Sequence, residues 1–530
     1  MDAAKTITEG RAMLGIEFGS TRIKAVLIDG ENKPIAQGSH TWENSFVDGL
    51  WTYPLEEIWF GLQNCYRDLA ANVRKDYGCD IENLAGIGIS AMMHGYMAFN
   101  DKNELLVPFR TWRNTNTGAA AAELSKLFNY NIPLRWSISH LYQAILNGEP
   151  HVAEVSFFTT LAGYIHWQLT GQKVIGVGDA SGMLPVDPTT KQYSAEMIAK
   201  FNKLAAKHGF KKPLESLLPK ILLAGEHAGT LTEEAARRLD ISGKLKAGVP
   251  LCPPEGDAGT GMVATNSVKQ RTGNVSAGTS SFSMIVLEKE LSKPYEMIDM
   301  VTTPDGNLVA MVHCNNCTSD LNAWVELFRE FAGLLGSDAD MGKIYGLLYN
   351  HALTGDADCG GLVSYNFFSG EPVVGFAEGR PLLVRSCTDH FNLANFMRAN
   401  LNAAVAVLKI GNDVLFKDEN VRVDRLTGHG GLFKTPGVCQ RILAAALGTP
   451  ISVMKTAGEG GAWGMALLAS YMVNNPDERS LDNWLDVAVF AGETGTSISP
   501  TPEEIHGFDR YIANYTACFP VETAAISAKA

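Results

Sequence analysis

At 530 residues the chain is too long for one ordinary hydrophobic core, so two or more domains are expected. Hydrophobic residues make up 46% and charged residues 19%, a globular balance, and no apolar run reaches the roughly 18 residues that a membrane-crossing helix needs. A net charge of −13 argues against nucleic acid or an acidic membrane as the main partner, while leaving room for a local basic pocket.

Residues 1–13 are polar and charged, without the apolar stretch of a signal peptide, and a cytoplasmic location is expected. Residues 14–28 predict two short strands around a turn. Leu14 and Ile16 precede Glu17-Phe18-Gly19-Ser20-Thr21-Arg22, and Ile23, Ala25 and Leu27 then alternate on one face. After Pro54 a stripe of Leu55, Ile58, Trp59, Leu62, Tyr66, Leu69 and Val73 predicts a helix that Gly78 stops. Residues 84–90 read as a buried strand leading into Met92-Met93-His94-Gly95. Strand and helix patterns keep alternating, as in an α/β fold.

Residues 248–252 read as a further short strand, followed by a glycine-rich turn that carries Asp257 to the start of a helix. A weak boundary signal lies at residues 262–270, giving domains over 1–262 and 263–530. Over residues 272–287 the opening pattern returns: Gly278-Thr279-Ser280-Ser281 echoes Gly19-Ser20-Thr21, again followed by an alternating apolar strand. Either turn alone reads as a plain hairpin. Two of them half a chain apart suggest a duplicated fold with a cleft between the halves.

Nine cysteines, an odd number scattered over a long chain, fit reduced thiols. Cys314 and Cys317 form a lone Cys-x-x-Cys with neither the second pair of a zinc site nor the setting of a redox motif. Gly428-His429-Gly430-Gly431 forms a glycine-rich loop. A helix is expected after it, with Thr435 as N-cap, Pro436 at its first position and Gly448 beyond its end. Residues 457–466, including Glu459, Gly460, Gly461, Ala462, Gly464 and Ala466, predict a helix with a small-residue face suited to close packing. The tail reads as a helix over 502–515 and a frayed end.

A glycine followed by Ser or Thr between two strands can present backbone N–H groups and a hydroxyl to phosphate oxygens. The stretch from Gly273 to Ser280 is no P-loop, because Thr279 stands where lysine belongs and a strand follows instead of a helix. An ionised Asp257 at a helix N-terminus can take the proton of an attacking hydroxyl, help worth about 10²–10⁴ in rate. The same position equally suits a helix N-cap.

Taken in order, these elements resemble the FGGY family of carbohydrate kinases, within the actin/sugar-kinase/Hsp70 superfamily. Residues 17–24 are similar to its first phosphate motif, 278–280 to its second and 428–431 to its adenosine motif. Leu169-Thr170-Gly171 with Asp179-Ala180-Ser181 and Asp187 resembles a further signature, and residues 459–466 its late glycine–alanine helix. The resemblance implies two actin-like (ribonuclease H-like) α/β domains around a cleft. Residues 1–262 would mainly bind sugar; residues 263–530, with their helical tail, would mainly bind ATP.

It further implies Asp257 as catalytic base and Met93, His94, Gly95, Arg113, Asn114 and Asp257 at the sugar. Gly19, Ser20, Thr21, Arg22, Gly278, Thr279, Ser280, Gly430, Gly431 and Leu432 would hold ATP. Magnesium would be held by Asp257 and, through water, by Glu17. Within the family, Ser90 to Gly95 is most similar to the xylulokinase branch, so phosphorylation of a ketopentose, D-xylulose first, is expected. Arg113-Asn114 follows Trp112 where that branch usually carries Asn-Asp, and Trp136 and His140 face either the sugar or the core. Glu17 stands where the family usually has Asp, one methylene shorter, which implies a shift of roughly 1.5 Å at the metal. L-ribulose or another sugar of the family, an actin/Hsp70-like ATPase and a silent sugar sensor are the rival readings. Sugar and ATP are the expected partners, without nucleic acid or membrane, and a homodimer is compatible with the sequence.

Overall fold

The structure, a computed structural model, describes residues 2–456, 460–493 and 495–528. Contacts divide the chain into two units. The first comprises Met1–Val268, Asp299–Val309 and Glu459–Gly492; the second comprises Lys269–Ile298, Ala310–Gly458 and Glu493–Ala530. A plain division at residue 262 differs from this packing, because two later segments return to the first unit.

In unit 1, β1 (Met13–Phe18), β2 (Arg22–Ile28) and β3 (Pro34–Thr41) form an antiparallel meander. The helix α1 (Leu55–Tyr77) follows, with Glu56 and Glu57 in its first turn, Arg74 and Lys75 in its last, and Gly78 closing it at φ 67°. Those charges complement the helix dipole. β4 (Gly86–Ala91) and β5 (Glu255–Gly256) then add in parallel, giving the order β5-β4-β1-β2-β3. β4 is buried at every position and β1 at all but Glu17, as strands covered on both faces must be apolar. Directly after β5 comes α2 (Asp257–Ala264).

Unit 2 repeats this plan. β6 (Thr272–Ala277) and β7 (Ser281–Val286) form a hairpin, β8 (Leu308–Cys314) lies beyond β7, and α3 (Ser319–Leu334) follows. β9 (Arg425–His429) pairs in parallel with β6; after the helix α4 (Val438–Leu447), β10 (Ile451–Val453) pairs in parallel with β9. The order is β8-β7-β6-β9-β10, with an edge strand Thr496–Ile498 beyond β10. Each unit thus places its central strand between an antiparallel hairpin partner and a parallel strand from far along the chain.

The helix α5 (Gly460–Val473) explains why the late segment belongs to unit 1. It is buried from Gly461 through Tyr471 and apolar all round, so it needs neighbours on every side. A Cβ at Gly15 of β1 would lie 2.1 Å from the Ala462 carbonyl, and one at Gly464 would lie 2.0 Å from the Thr260 carbonyl of α2. Glycine at both positions lets backbone meet backbone. The expected start of this helix at 457–459, Glu459 included, lies outside the described residues.

Two local expectations need correction. The helix after the glycine-rich loop starts at Val438, not Pro436, because Gly437 adopts φ 79° and caps it in place of Thr435. The tail beyond Pro502–Ala517 is a second helix, Phe519–Ser527, rather than a frayed end. Phe519 packs against Tyr365, Phe376 and Tyr515, and buried Glu522 accepts the Arg380 N–H at 2.7 Å. All nine cysteines are free. Among the described residues no helix is long and apolar enough to cross a membrane, and no three metal-ligating side chains converge.

Candidate functional site

In unit 1 the turn of residues 19–21 closes the β1–β2 hairpin, with the Gly19 N–H bonded to the Arg22 carbonyl at 3.0 Å. Trp42 Nε1 donates to the Gly19 carbonyl at 2.7 Å and the Tyr53 hydroxyl to the Ser20 carbonyl at 2.6 Å. The two rings stack at 4.1 Å. In a trans peptide the C=O and the next N–H point in opposite directions. Trp42 and Tyr53 therefore turn the N–H groups of Ser20 and Thr21 the other way, as a phosphate-binding turn requires.

Asp257 occupies the first position of α2, and its Oδ1 accepts from the Ala258 N–H at 3.0 Å and the Met93 N–H at 3.2 Å. Burial pushes its carboxyl up to about 6 against the pull of these N–H groups. The Met93 side chain lies over Gly256, where a Cβ would come within 2.2 Å of its Cγ. His94 and Gly95 follow at φ 68° and 88°, two left-handed residues that swing the chain away from β4. His94 Nδ1 lies 3.1 Å from the Gly182 carbonyl, and its ring lies parallel to Trp136 at 6.2 Å. Met93, His94 and Asp257 are thus brought together. Gly95 is fixed through its carbonyl by Ser137 at 2.6 Å.

Two further acids lie behind Asp257. Glu255 is buried and accepts the N–H groups of Gly178 and Asp179, at 3.2 and 2.9 Å. Asp179 is buried, takes the Thr160 hydroxyl on Oδ2 at 2.6 Å, and has no partner on Oδ1. Burial first, then Asp179, raises Glu255 to about 8; burial raises Asp179 to about 7, with the charge of Asp257 adding to the rise. Burial thus pushes both acids toward their protonated forms, opposed by the N–H groups on the two oxygens of Glu255 and by the Thr160 hydroxyl on Asp179.

Glu17 stands opposite Ser90 in the β1–β4 register, and Ser90 Oγ lies 3.1 Å from Thr260 Oγ1. Burial lifts Glu17 to about 7 and the Asp257 charge adds to it, opposed by Lys24, the Ala462 N–H and Arg22. A Cβ at Gly461 would lie 2.4 Å from Glu17 Oε2, so glycine there makes room for the longer acid. Glu17 and Asp257, near enough for their charges to act on each other, are carboxylates of the kind that could hold a hard cation.

The other expected sugar residues lie differently. Arg113 is exposed, stacks on Trp51 at 3.8 Å and donates to Asn44 at 2.9 Å. Asn114 is buried; its amide spans the Trp51 N–H and carbonyl at 2.9 and 2.8 Å and also donates to the Thr111 carbonyl. Trp136 and His140 are fully buried, with the indole N–H and both imidazole nitrogens unpartnered, and burial lowers His140 to about 3.

Unit 2 builds its own turn at residues 278–280. The Gly278 carbonyl accepts from the Thr318 N–H at 3.1 Å and hydroxyl at 2.8 Å, and the Thr279 carbonyl accepts from the Cys317 N–H at 3.0 Å. As in unit 1, pinned carbonyls direct the N–H groups of Thr279 and Ser280 the opposite way. Gly430, at φ 104°, passes so close to β6 that a Cβ would lie 2.6 Å from the Ala277 carbonyl. A Cβ at Gly431 would meet nothing within 4 Å. The Leu432 side chain is buried, so only its backbone can face a ligand. His429 Nε2 is buried without a partner, and burial lowers the ring to about 4.

Residues 12–263 match the N-terminal domain, and residues 273–473 the C-terminal domain, of the FGGY family of carbohydrate kinases. The xylulose kinase of Lactococcus lactis is 21% identical over 468 residues, which is 87% of each chain. Two solved structures from Lactobacillus acidophilus, a ligand-bound xylulose kinase and a gluconate kinase, superimpose with TM-scores of 0.78 and 0.79. Each is 17% identical and covers 96% of this chain and 98% of its own, which shows a shared fold.

Proposed function

Because the chain belongs to the FGGY family of carbohydrate kinases, we propose that it transfers the γ-phosphate of ATP to a hydroxyl of a ketopentose, D-xylulose first. The observation that carries this reading is Asp257, held by the Met93 and Ala258 N–H groups through Oδ1, which leaves Oδ2 for a hydroxyl beside the Met-His-Gly turn. Similarity to xylulose kinases supports the choice of sugar.

Residues 19–21 and 278–280 would donate N–H groups to the phosphates, and residues 430–432 would take the adenosine. Glu17, through water, and Asp257 would hold magnesium, which would offset the negative charge of the phosphates. Asp257 would take the proton of the sugar hydroxyl as its oxygen bonds to the γ-phosphorus. The bond from that phosphorus to the β-γ bridging oxygen breaks, and ADP leaves. The work is positioning and charge stabilisation, which backbone N–H groups with fixed directions supply without reorganising.

Arg113, stacked and exposed where the xylulokinase branch usually has asparagine, favours a second reading, L-ribulose or another sugar of the family. A panel of D-xylulose, L-ribulose, L-xylulose, gluconate and glycerol with Mg-ATP separates these. ADP release is expected only with a ketopentose, fastest with D-xylulose. Equal ADP release without sugar would favour an actin-like ATPase, and sugar binding without turnover would favour a sensor.

A further inference from the structure

The segment between β8 and α3, residues 315–318, presents its consecutive N–H groups in two pairs. Those of Cys317 and Thr318 go to the Thr279 and Gly278 carbonyls of the second turn. Those of Asn315 and Asn316 go to the two oxygens of one carboxyl, Glu371, at 3.3 and 3.1 Å. The Asn316 side-chain amide donates to the same carboxyl at 3.1 Å, while its Oδ1 accepts the N–H groups of Phe368 and Ser369 at 3.0 and 3.1 Å. Asn366 completes the frame by donating to the Cys317 carbonyl at 2.9 Å.

Glu371 is fully buried, a costly place for an acid. Burial lifts its carboxyl above the usual range, and the N–H groups of Asn316 and Asn315 oppose that rise. A glutamine would accept through one oxygen only and turn an NH2 group toward the other donor, so the use of both oxygens explains why an acid stands here. The backbone under the carboxyl is fixed as well. The Glu371 N–H and carbonyl both bond to Phe376, at 2.7 and 3.2 Å, around a turn that Gly375 closes at φ 78°. The Phe376 ring packs edge-on to Phe519 of the tail helix at 5.3 Å. Thr318 shows where this rigidity is delivered. It stands at the head of α3, yet its hydroxyl bonds to the Gly278 carbonyl at 2.8 Å instead of capping the helix.

We propose that Glu371 is a positioning residue for the second phosphate turn, holding residues 315–318 so that their other two N–H groups aim Thr279 and Ser280 at the nucleotide phosphates. So short a strap cannot absorb movement at one end. Loss of Glu371 therefore frees the Gly278 and Thr279 carbonyls to rotate, and the N–H groups behind them rotate too. The inference rests on the reading of residues 278–280 as a phosphate turn, and not on which sugar is phosphorylated.

The test compares ATP with adenosine, which has no phosphate, by calorimetry and by competition. The wild-type chain should prefer ATP. In Glu371→Gln the Kd and KM for ATP should rise at least about tenfold, while adenosine affinity and the sugar KM stay within about twofold. Glu522→Gln, at another fully buried acid of unit 2 that holds a backbone N–H, should leave all of these unchanged. Thr318→Val acts on the same turn, so combined with Glu371→Gln it should cost less than the product of the two single losses. If Glu371→Gln does not fold, Asn316→Ala cuts the same link from the other side and carries the same expectation. A wild-type chain that binds adenosine as tightly as ATP overturns the phosphate turn and this inference together. Unchanged ATP affinity in the Glu371 variant, equal losses for ATP and adenosine, or single losses that multiply fully in the double variant overturn the inference alone.

Discussion

The Tyr53 hydroxyl donates to the Ser20 carbonyl at 2.6 Å while its ring stacks on Trp42, which holds the Gly19 carbonyl. One aromatic pair thereby fixes two consecutive peptide planes of the first phosphate turn. Tyr53→Phe keeps the stack and removes a hydrogen bond worth about 1 kcal/mol. The freed Ser20 carbonyl lets the Thr21 N–H drift, so kcat/KM for ATP should fall about 3–10-fold with little change in melting temperature. An unchanged kcat/KM would show that the turn needs no such support.

Asp257→Asn preserves the oxygen that accepts the Met93 and Ala258 N–H groups but removes the base. Turnover should fall at least about 10²-fold with nucleotide binding nearly intact, measured by steady-state kinetics and calorimetry. In the wild type, burial holds this carboxyl up to about 6, and only its ionised form takes a proton. The sugar kcat/KM should therefore rise with pH, about tenfold per unit below 6, and level off above it. A profile flat from pH 5 to 8, or near-normal turnover of Asp257→Asn, would remove Asp257 from the mechanism.

How much of this was open to reading depends on where the determining atoms lie. The hairpin turns at residues 19 and 278 and the strand-to-helix position of Asp257 are local patterns, and alternating apolar residues expose them. Donors that aim the turns are not local. Tyr53 and Trp42 reach the first turn from beyond β3, and Cys317 and Thr318 reach the second from beyond β8. The cluster of Trp42, Trp51 and Tyr53 around a polar stretch was the one available hint. Asn114 reads as a polar residue near sugar until its amide is seen spanning the Trp51 backbone. The repeat predicted two similar halves, but not that α5 packs beside β1, because a helix apolar on all sides carries no information about which sheet it covers.

Asp179 provides a test of the buried acids. Its carboxyl sits near 7 in the folded chain, mainly through burial, against about 4 when unfolded. Between those values the folded state keeps a proton that the unfolded state has lost. Its protonation therefore supports the fold most fully below about pH 4, and that support fades as pH rises to about 7. Asp179→Asn keeps an acceptor for Thr160 and abolishes the titration. Relative to wild type it should gain at least about 1 kcal/mol, or about 2–4 °C, at pH 8 compared with pH 4.5. Melting curves at the two pH values decide it, and a difference independent of pH would mean that Asp179 is ionised in the fold.

Gly461 and Gly464 lie one turn apart on α5, and adding the same methyl group to each should have different consequences. At Gly464 a Cβ would stand 2.0 Å from the Thr260 carbonyl, backbone against backbone, so α5 and α2 must separate. Gly464→Ala should therefore cost about 1–3 kcal/mol, seen as a lower melting temperature. At Gly461 the nearest atoms are Glu17 Oε2 at 2.4 Å and the Thr260 hydroxyl at 2.7 Å, both ends of side chains that can move. Gly461→Ala should leave stability within about 1 kcal/mol but push the Glu17 carboxylate off its place, lowering kcat about tenfold or more. Glu17→Asp combined with Gly461→Ala shortens the acid by the length that the methyl takes, so it should recover most of the lost rate. If Gly461→Ala lowers melting temperature as much as Gly464→Ala and the double variant recovers nothing, then Gly461 serves packing alone and the longer acid at position 17 has no partner in α5.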